Sequence, residues 1–134
     1  MKKIILISLV FLSSCKNESL FEQSLINDKD NTYWVEFMMD STGNYKYNKR
    51  QSVFFSNSRL SSLSSENEDR IGTPQVKLIE GGNQEKWSYN EKNNTLTTSY
   101  RTTFKIERYT KDTIFMKLTT GRKEKFIMIR KRLK

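Results

Sequence analysis

The chain of 134 residues has no histidine, one cysteine and one proline. Without histidine it lacks the side chain that most often serves as a general base and as a metal ligand. A single cysteine, Cys15, leaves no partner for an intramolecular disulfide and no thiol cluster for zinc. Glu66, Glu68 and Asp69 lie close together but without the glycine turn of a calcium loop. The expectation is a protein that is not an enzyme, with no catalytic residue, no metal and no cofactor. Long apolar runs are also scarce: Ile4 to Leu12, broken by Ser8, is about half of the roughly 20 residues a membrane-crossing helix needs. Acidic residues are outnumbered, 15 against 24 Lys and Arg, for a formal net charge of +9, a balance that favours anionic partners.

What is present at the N-terminus is ordered like a signal peptide. Lys2 and Lys3 precede the apolar run, and the small residues Ser13 and Ser14 precede Cys15. Leu12-Ser13-Ser14-Cys15 resembles the lipobox of bacterial lipoproteins. The resemblance implies cleavage of residues 1–14 and acylation of Cys15, so that a covalent lipid holds the protein at a membrane. Each buried methylene contributes about 0.8 kcal/mol, and several acyl chains anchor stably where one does not. Lys16-Asn17-Glu18 has no aspartate directly after the cysteine, which by the same resemblance favours the outer membrane of the cell envelope. Export removes nucleic acid, otherwise the first partner to consider for a basic, aromatic-rich chain. Residues 1–14 carry two lysines and no acid, so their loss leaves 120 residues at +7, enough for one domain with a modest core.

Residues 15–30 are mostly polar and read as a lipidated cysteine and tether, although Leu20, Phe21, Leu25 and Ile26 also fit a short capping helix. From Asn31 the pattern changes to period two. Tyr33, Val35, Phe37 and Met39 alternate with Trp34, Glu36 and Met38, which predicts a strand, and Asp40-Ser-Thr-Gly43 predicts a turn. Residues 44–56 predict one long strand with a bulge or two short ones. Residues 57–73 are serine-rich and predict a long polar loop near the barrel mouth. Further strands are expected at Gln75–Glu80, Lys86–Tyr89, Thr95–Tyr100, Thr102–Tyr109, Thr113–Thr119 and Glu124–Arg130, joined by turns at the spacing of a meander. About eight strands with no helical period between them predict an all-β domain over 31–134. A small antiparallel barrel closes such a sheet and removes its edges.

Trp34-Val-Glu-Phe37, Phe54-Phe-Ser-Asn57, Lys86-Trp-Ser-Tyr-Asn90 with Asn94-Thr-Leu-Thr97, and Phe104-Lys-Ile-Glu-Arg-Tyr together resemble the short lipocalin-like domains on lipoproteins of Bacteroidota. The chain departs from lipocalins at Asn31-Thr-Tyr-Trp34, where their first strand carries Gly-x-Trp. The resemblance implies a barrel that binds a small apolar or amphipathic ligand, and the aromatic content of the strands makes Trp34, Phe37, Phe55, Trp87 and Phe104 the candidate lining residues. The bland alternative is that these aromatics fill the core, and that the protein is an interaction module, an inhibitor or an immunity factor of the envelope with no ligand.

Two smaller features stand beside these. Continued alternation would put Arg130, Arg132 and Lys134 on one face, a row suited to phosphates or another anionic partner, or else the segment is a solvated basic tail. Asp40-Ser41-Thr42 and Asp112-Thr113-Ile114 resemble O-glycosylation triplets of Bacteroidota envelope proteins, and both fall at predicted turns.

Overall fold

A computed structural model describes residues 18–27, 29–64, 85–98 and 101–132. A short helix α1 (Leu20–Leu25) precedes eight strands: β1 (Thr32–Met39), β2 (Tyr45–Phe54), β3 (Arg59–Ser64), β4 (Glu85–Asn90), β5 (Thr95–Thr98), β6 (Thr102–Tyr109), β7 (Thr113–Leu118) and β8 (Lys125–Arg132). Each strand pairs with the next in antiparallel sense, and β8 returns to β1, closing the barrel. The closed eight-stranded antiparallel barrel expected from the strand spacing is the fold of the chain.

Alternation decides which side chains enter the barrel. Trp34, Phe54, Leu60, Trp87, Leu96, Phe104, Ile106, Ile114, Met116, Phe126 and Met128 form one buried cluster from all eight strands, as a period of two requires for a one-sided core. The β1–β2 hairpin turns on Asp40, whose carboxylate accepts from the Thr42 and Asn44 N–H groups at 2.9 and 3.0 Å. Gly43 takes the left-handed conformation at φ 85°, which costs glycine little. β2 is a single strand with a bulge: Glu36 faces Arg50 but Phe37 faces Tyr47, and Lys49 within the bulge has φ 56°.

Of the two readings of residues 16–30, the structure contains the helix, so the packed domain begins before residue 31. Ser19 and Glu22 form a capping box, with the Glu22 N–H donating to Ser19 Oγ at 3.2 Å. Six residues are too few to hold a helix in water by themselves. Here Phe21, Leu25 and Ile26 join the barrel core, and the Phe21 ring packs on Tyr89 and Tyr109 at centroid distances of 4.4 and 5.1 Å. The helix thereby stoppers one end of the barrel.

The reading of 57–73 as loop is corrected over its first half. β3 occupies Arg59–Ser64 and pairs with β2 from Phe54↔Leu60 to Arg50↔Ser64. It is paired through its backbone, and the inward Ser62 shares the interior with Phe104 and Met116. The strand expected at 75–80 and the Gly81-Gly82 turn lie outside the described residues.

Candidate functional site

Three regions of the barrel carry side chains with chemistry beyond packing: the stoppered end, the interior and the outer face of β6, β7, β8, β1 and β2.

At the stoppered end, Trp34 is fully buried and donates from its indole nitrogen to the Leu25 carbonyl oxygen at 2.8 Å. That bond ties β1 to the last turn of α1. Arg130 enters from β8 and stacks on the Trp34 ring, with its guanidinium carbon 4.5 Å from the ring centroid. The same guanidinium donates to Asp30 Oδ2 and to Thr32 Oγ1 at 3.0 Å each, and Nε donates to the Lys111 carbonyl oxygen at 2.9 Å. Asn27, also buried, extends this network. Its backbone N–H donates to the Phe54 carbonyl at 2.8 Å, its Oδ1 accepts from the Phe54 N–H at 2.9 Å, and its Nδ2 donates to Thr32 Oγ1 at 2.8 Å. An eight-stranded barrel has few ways to satisfy backbone groups at its rim, and these side chains do so between α1, β1, β2 and β8.

The interior holds a polar patch that sequence reasoning did not place. Glu36, 6% exposed, points inward between Trp34 and Met38. Burial pushes its carboxyl above the ordinary value, while a 2.7 Å hydrogen bond from Asn48 Nδ2 and the attraction of Arg50 oppose the rise. Ser52, Ser62 and Thr98 stand beside it, and Ser62 Oγ is buried without a protein hydrogen-bond partner. Phe54, Leu60, Leu96, Phe104, Met116 and Met128 complete the walls. Among the described residues these walls leave a cavity of about 10 Å³, the room of one water molecule. The only sequence signal for this patch is that Glu36 shares a strand face with Trp34.

Of the expected ligand-lining residues, the structure brings Trp34, Trp87 and Phe104 together in the barrel core. Phe37 is not among them. It lies on the opposite face of β1, where its ring packs on Tyr47 at 5.9 Å, because one residue of register separates it from the inward-facing Glu36. Phe55 is half-buried in the β2–β3 turn, and its carbonyl accepts from the Trp87 indole N–H at 2.9 Å. Of the expected basic row, Arg130 and Arg132 lie on one face and line one cleft with Asp30, Thr32, Lys111 and Asp112. Arg130 is held in the stoppering network with its side chain 6% exposed, Arg132 is exposed near Asp30 and Lys111, and Lys134 lies outside the described residues. Cys15 and the remainder of the lipobox also lie outside them. Ser41 and Thr42 are exposed in the β1–β2 turn, whereas Thr113 is half-buried at the start of β7. Among the described residues no group of three acidic, histidine or cysteine side chains is placed to hold a metal, and no helix is long and apolar enough to cross a membrane.

On the outer face, β6, β7 and β8 bring lysines into register. Lys105 opposes Lys117, and Lys117 opposes Lys125. One step along the strands, Arg108, Phe115, Ile127, Phe37 and Tyr47 line up across five strands. Arg108 stacks on Phe115 at 3.9 Å. Compared with family models, with curated proteins and with solved structures, the chain has no match.

Proposed function

We propose that this chain is a lipoprotein of the cell envelope, held at the outer membrane through an acylated Cys15, whose barrel is an interaction module working through its outer surface. The observation that carries the second half is the interior cavity of about 10 Å³. Sites for small molecules are usually clefts of roughly 300–1,000 Å³. An apolar ligand inside this barrel would have to displace Phe104, Met116 or Leu60 from packed positions, and would meet the buried Glu36 carboxyl as it entered. The Leu12-Ser13-Ser14-Cys15 motif supports the first half. An interaction role, including inhibitor or immunity functions, needs no interior space and fits an outer face with aligned apolar and cationic rows.

The anchor is tested by metabolic labelling with a fatty acid and by membrane fractionation of wild type and Cys15→Ala. Loss of label and release of the variant from membranes are the expected results. A variant that keeps its lipid label would contradict the reading of Cys15.

A further inference from the structure

On the face of an antiparallel sheet, opposite charges directly across from one another stabilise the pairing and like charges destabilise it. The outer face here breaks that rule. Lys105, Lys117 and Lys125 occupy directly paired positions on three adjacent strands. Lys105 is partly satisfied by the Asn93 carbonyl at 2.7 Å. Among the described residues, neither Lys117 nor Lys125 has an ion-pair partner. The acids at the margin are Glu107 in the β6 bulge and Glu124 before β8, and neither reaches ion-pair distance of the three.

The apolar row runs parallel to the lysines. Phe115 is two residues from Lys117 on β7, and Ile127 is two residues from Lys125 on β8, so the two rows are separated by roughly 7 Å along the strands. Phe37, Phe115 and Ile127 each keep part of their surface exposed. Farther along, Val35 and Tyr33 are buried despite their outward register, so the accessible part of this face is the pair of rows just described.

We propose that this face seats on an anionic lipid surface, with Lys117, Lys125 and Arg108, which lies over Phe115, on headgroup phosphates and with Ile127 and Phe37 dipping toward the acyl boundary. A water-soluble polyanion would engage the lysines and leave the apolar row wet, whereas a lipid interface satisfies both. The inference rests on the reading that the barrel works through its outer surface. It gives that surface a chemical class of partner.

The test uses the full chain reconstituted on vesicles of phosphatidylcholine alone or with phosphatidylglycerol, treated with an amine-reactive ester and read lysine by lysine by mass spectrometry. Lys117 and Lys125 should react several-fold more slowly on the anionic vesicles, while Lys86 on β4, across the barrel, should react equally on both. In a flotation assay, Lys117→Gln and Lys125→Gln should each weaken the anionic preference roughly fivefold. Bound protein whose Lys117 and Lys125 react equally on both lipids would overturn the inference while leaving the anchor intact. Absence of bound protein from both vesicles overturns both. Protection by inorganic phosphate without vesicles, or protection that rises with protein concentration regardless of lipid, would overturn it in favour of a free anion or a second copy of the chain.

Discussion

Arg130 closes the barrel by lying over Trp34, its guanidinium carbon 4.5 Å from the ring centroid, while its nitrogens reach Asp30, Thr32 and the Lys111 carbonyl. The contact joins the last strand to the first across the seam where β8 meets β1, and through the Trp34 indole it reaches α1. Arg130 therefore holds the fold together while sharing a cleft with the exposed Arg132.

Arg130→Ala should lower stability by about 2–3 kcal/mol. It loses the ring stacking and several charge-assisted hydrogen bonds, discounted because Asp30 is 45% exposed. Arg130→Lys should recover only part of this, since an ammonium cannot reproduce the planar fork. Urea denaturation of the two variants checks the ranking. Equal stability of wild type and Arg130→Ala would mean that the stack is incidental.

Trp34→Phe keeps an aromatic ring under Arg130 but leaves the Leu25 carbonyl without its indole donor. The expected loss is about 1–3 kcal/mol, and it should be local. Amide exchange in residues 20–27 should accelerate more than exchange in β6 and β7. Uniform acceleration across the barrel would show that α1 is not held by this bond.

Asn27→Ala removes Oδ1 from the Phe54 N–H and Nδ2 from Thr32. A buried donor left without a partner costs about 1–3 kcal/mol, so a drop of about 4–8 °C per kcal/mol in Tm is expected for a domain of this size. Asn27→Asp retains the acceptor for the Phe54 N–H but buries a carboxylate and loses the donor to Thr32, so it should be no milder. A thermal melt of Asn27→Ala indistinguishable from wild type would remove the residue from the account.

Two carboxylates set opposing pH dependences. Glu36 is raised by burial above its ordinary value of 4.5. Its favourable contribution is therefore fully present below that unfolded value and is lost as pH rises through the folded one. Asp40 is held well below the usual carboxylate range, chiefly by the Thr42 hydroxyl and the Asn44 N–H. Its contribution is present above the unfolded value and is lost as pH falls through the folded one. Glu36→Gln, which keeps an acceptor for Asn48, should raise Tm at neutral pH, with the gain vanishing toward acid. Asp40→Asn should lower Tm at neutral pH and converge on wild type in acid. Parallel curves for either variant and wild type would contradict the assignment.

Much of the fold is legible in the sequence, for physical reasons that vary by element. The β4–β5 and β6–β7 hairpins follow from alternation around Trp87, Leu96, Phe104 and Ile114, bounded by Asn- and Asp-containing turns. β3 is hidden because Ser61, Ser62 and Ser64 look like loop composition, while its pairing with β2 is made by backbone groups. The faces of β1 are ambiguous because both are apolar, and Glu36, the one charged residue between them, turns inward rather than out. That is why Trp34 and Phe37 read as companions although they point to opposite sides. The role of Arg130 depends on Asp30, Thr32 and Trp34, some hundred residues away in sequence, and no local pattern signals it. The lysine ladder needs the registers of three strands, which spacing alone does not fix.

The claim that the barrel works from its outer surface is tested most directly at the two tryptophans, because Trp34 and Trp87 are both part of the barrel core. Titration of the protein with an apolar fluorophore, followed by quenching of tryptophan emission, reads any occupant of that space. The account predicts no saturable quenching at folded-state concentrations of the probe. Saturable quenching at one probe per protein, with the fold intact, would contradict it and place a ligand inside the barrel.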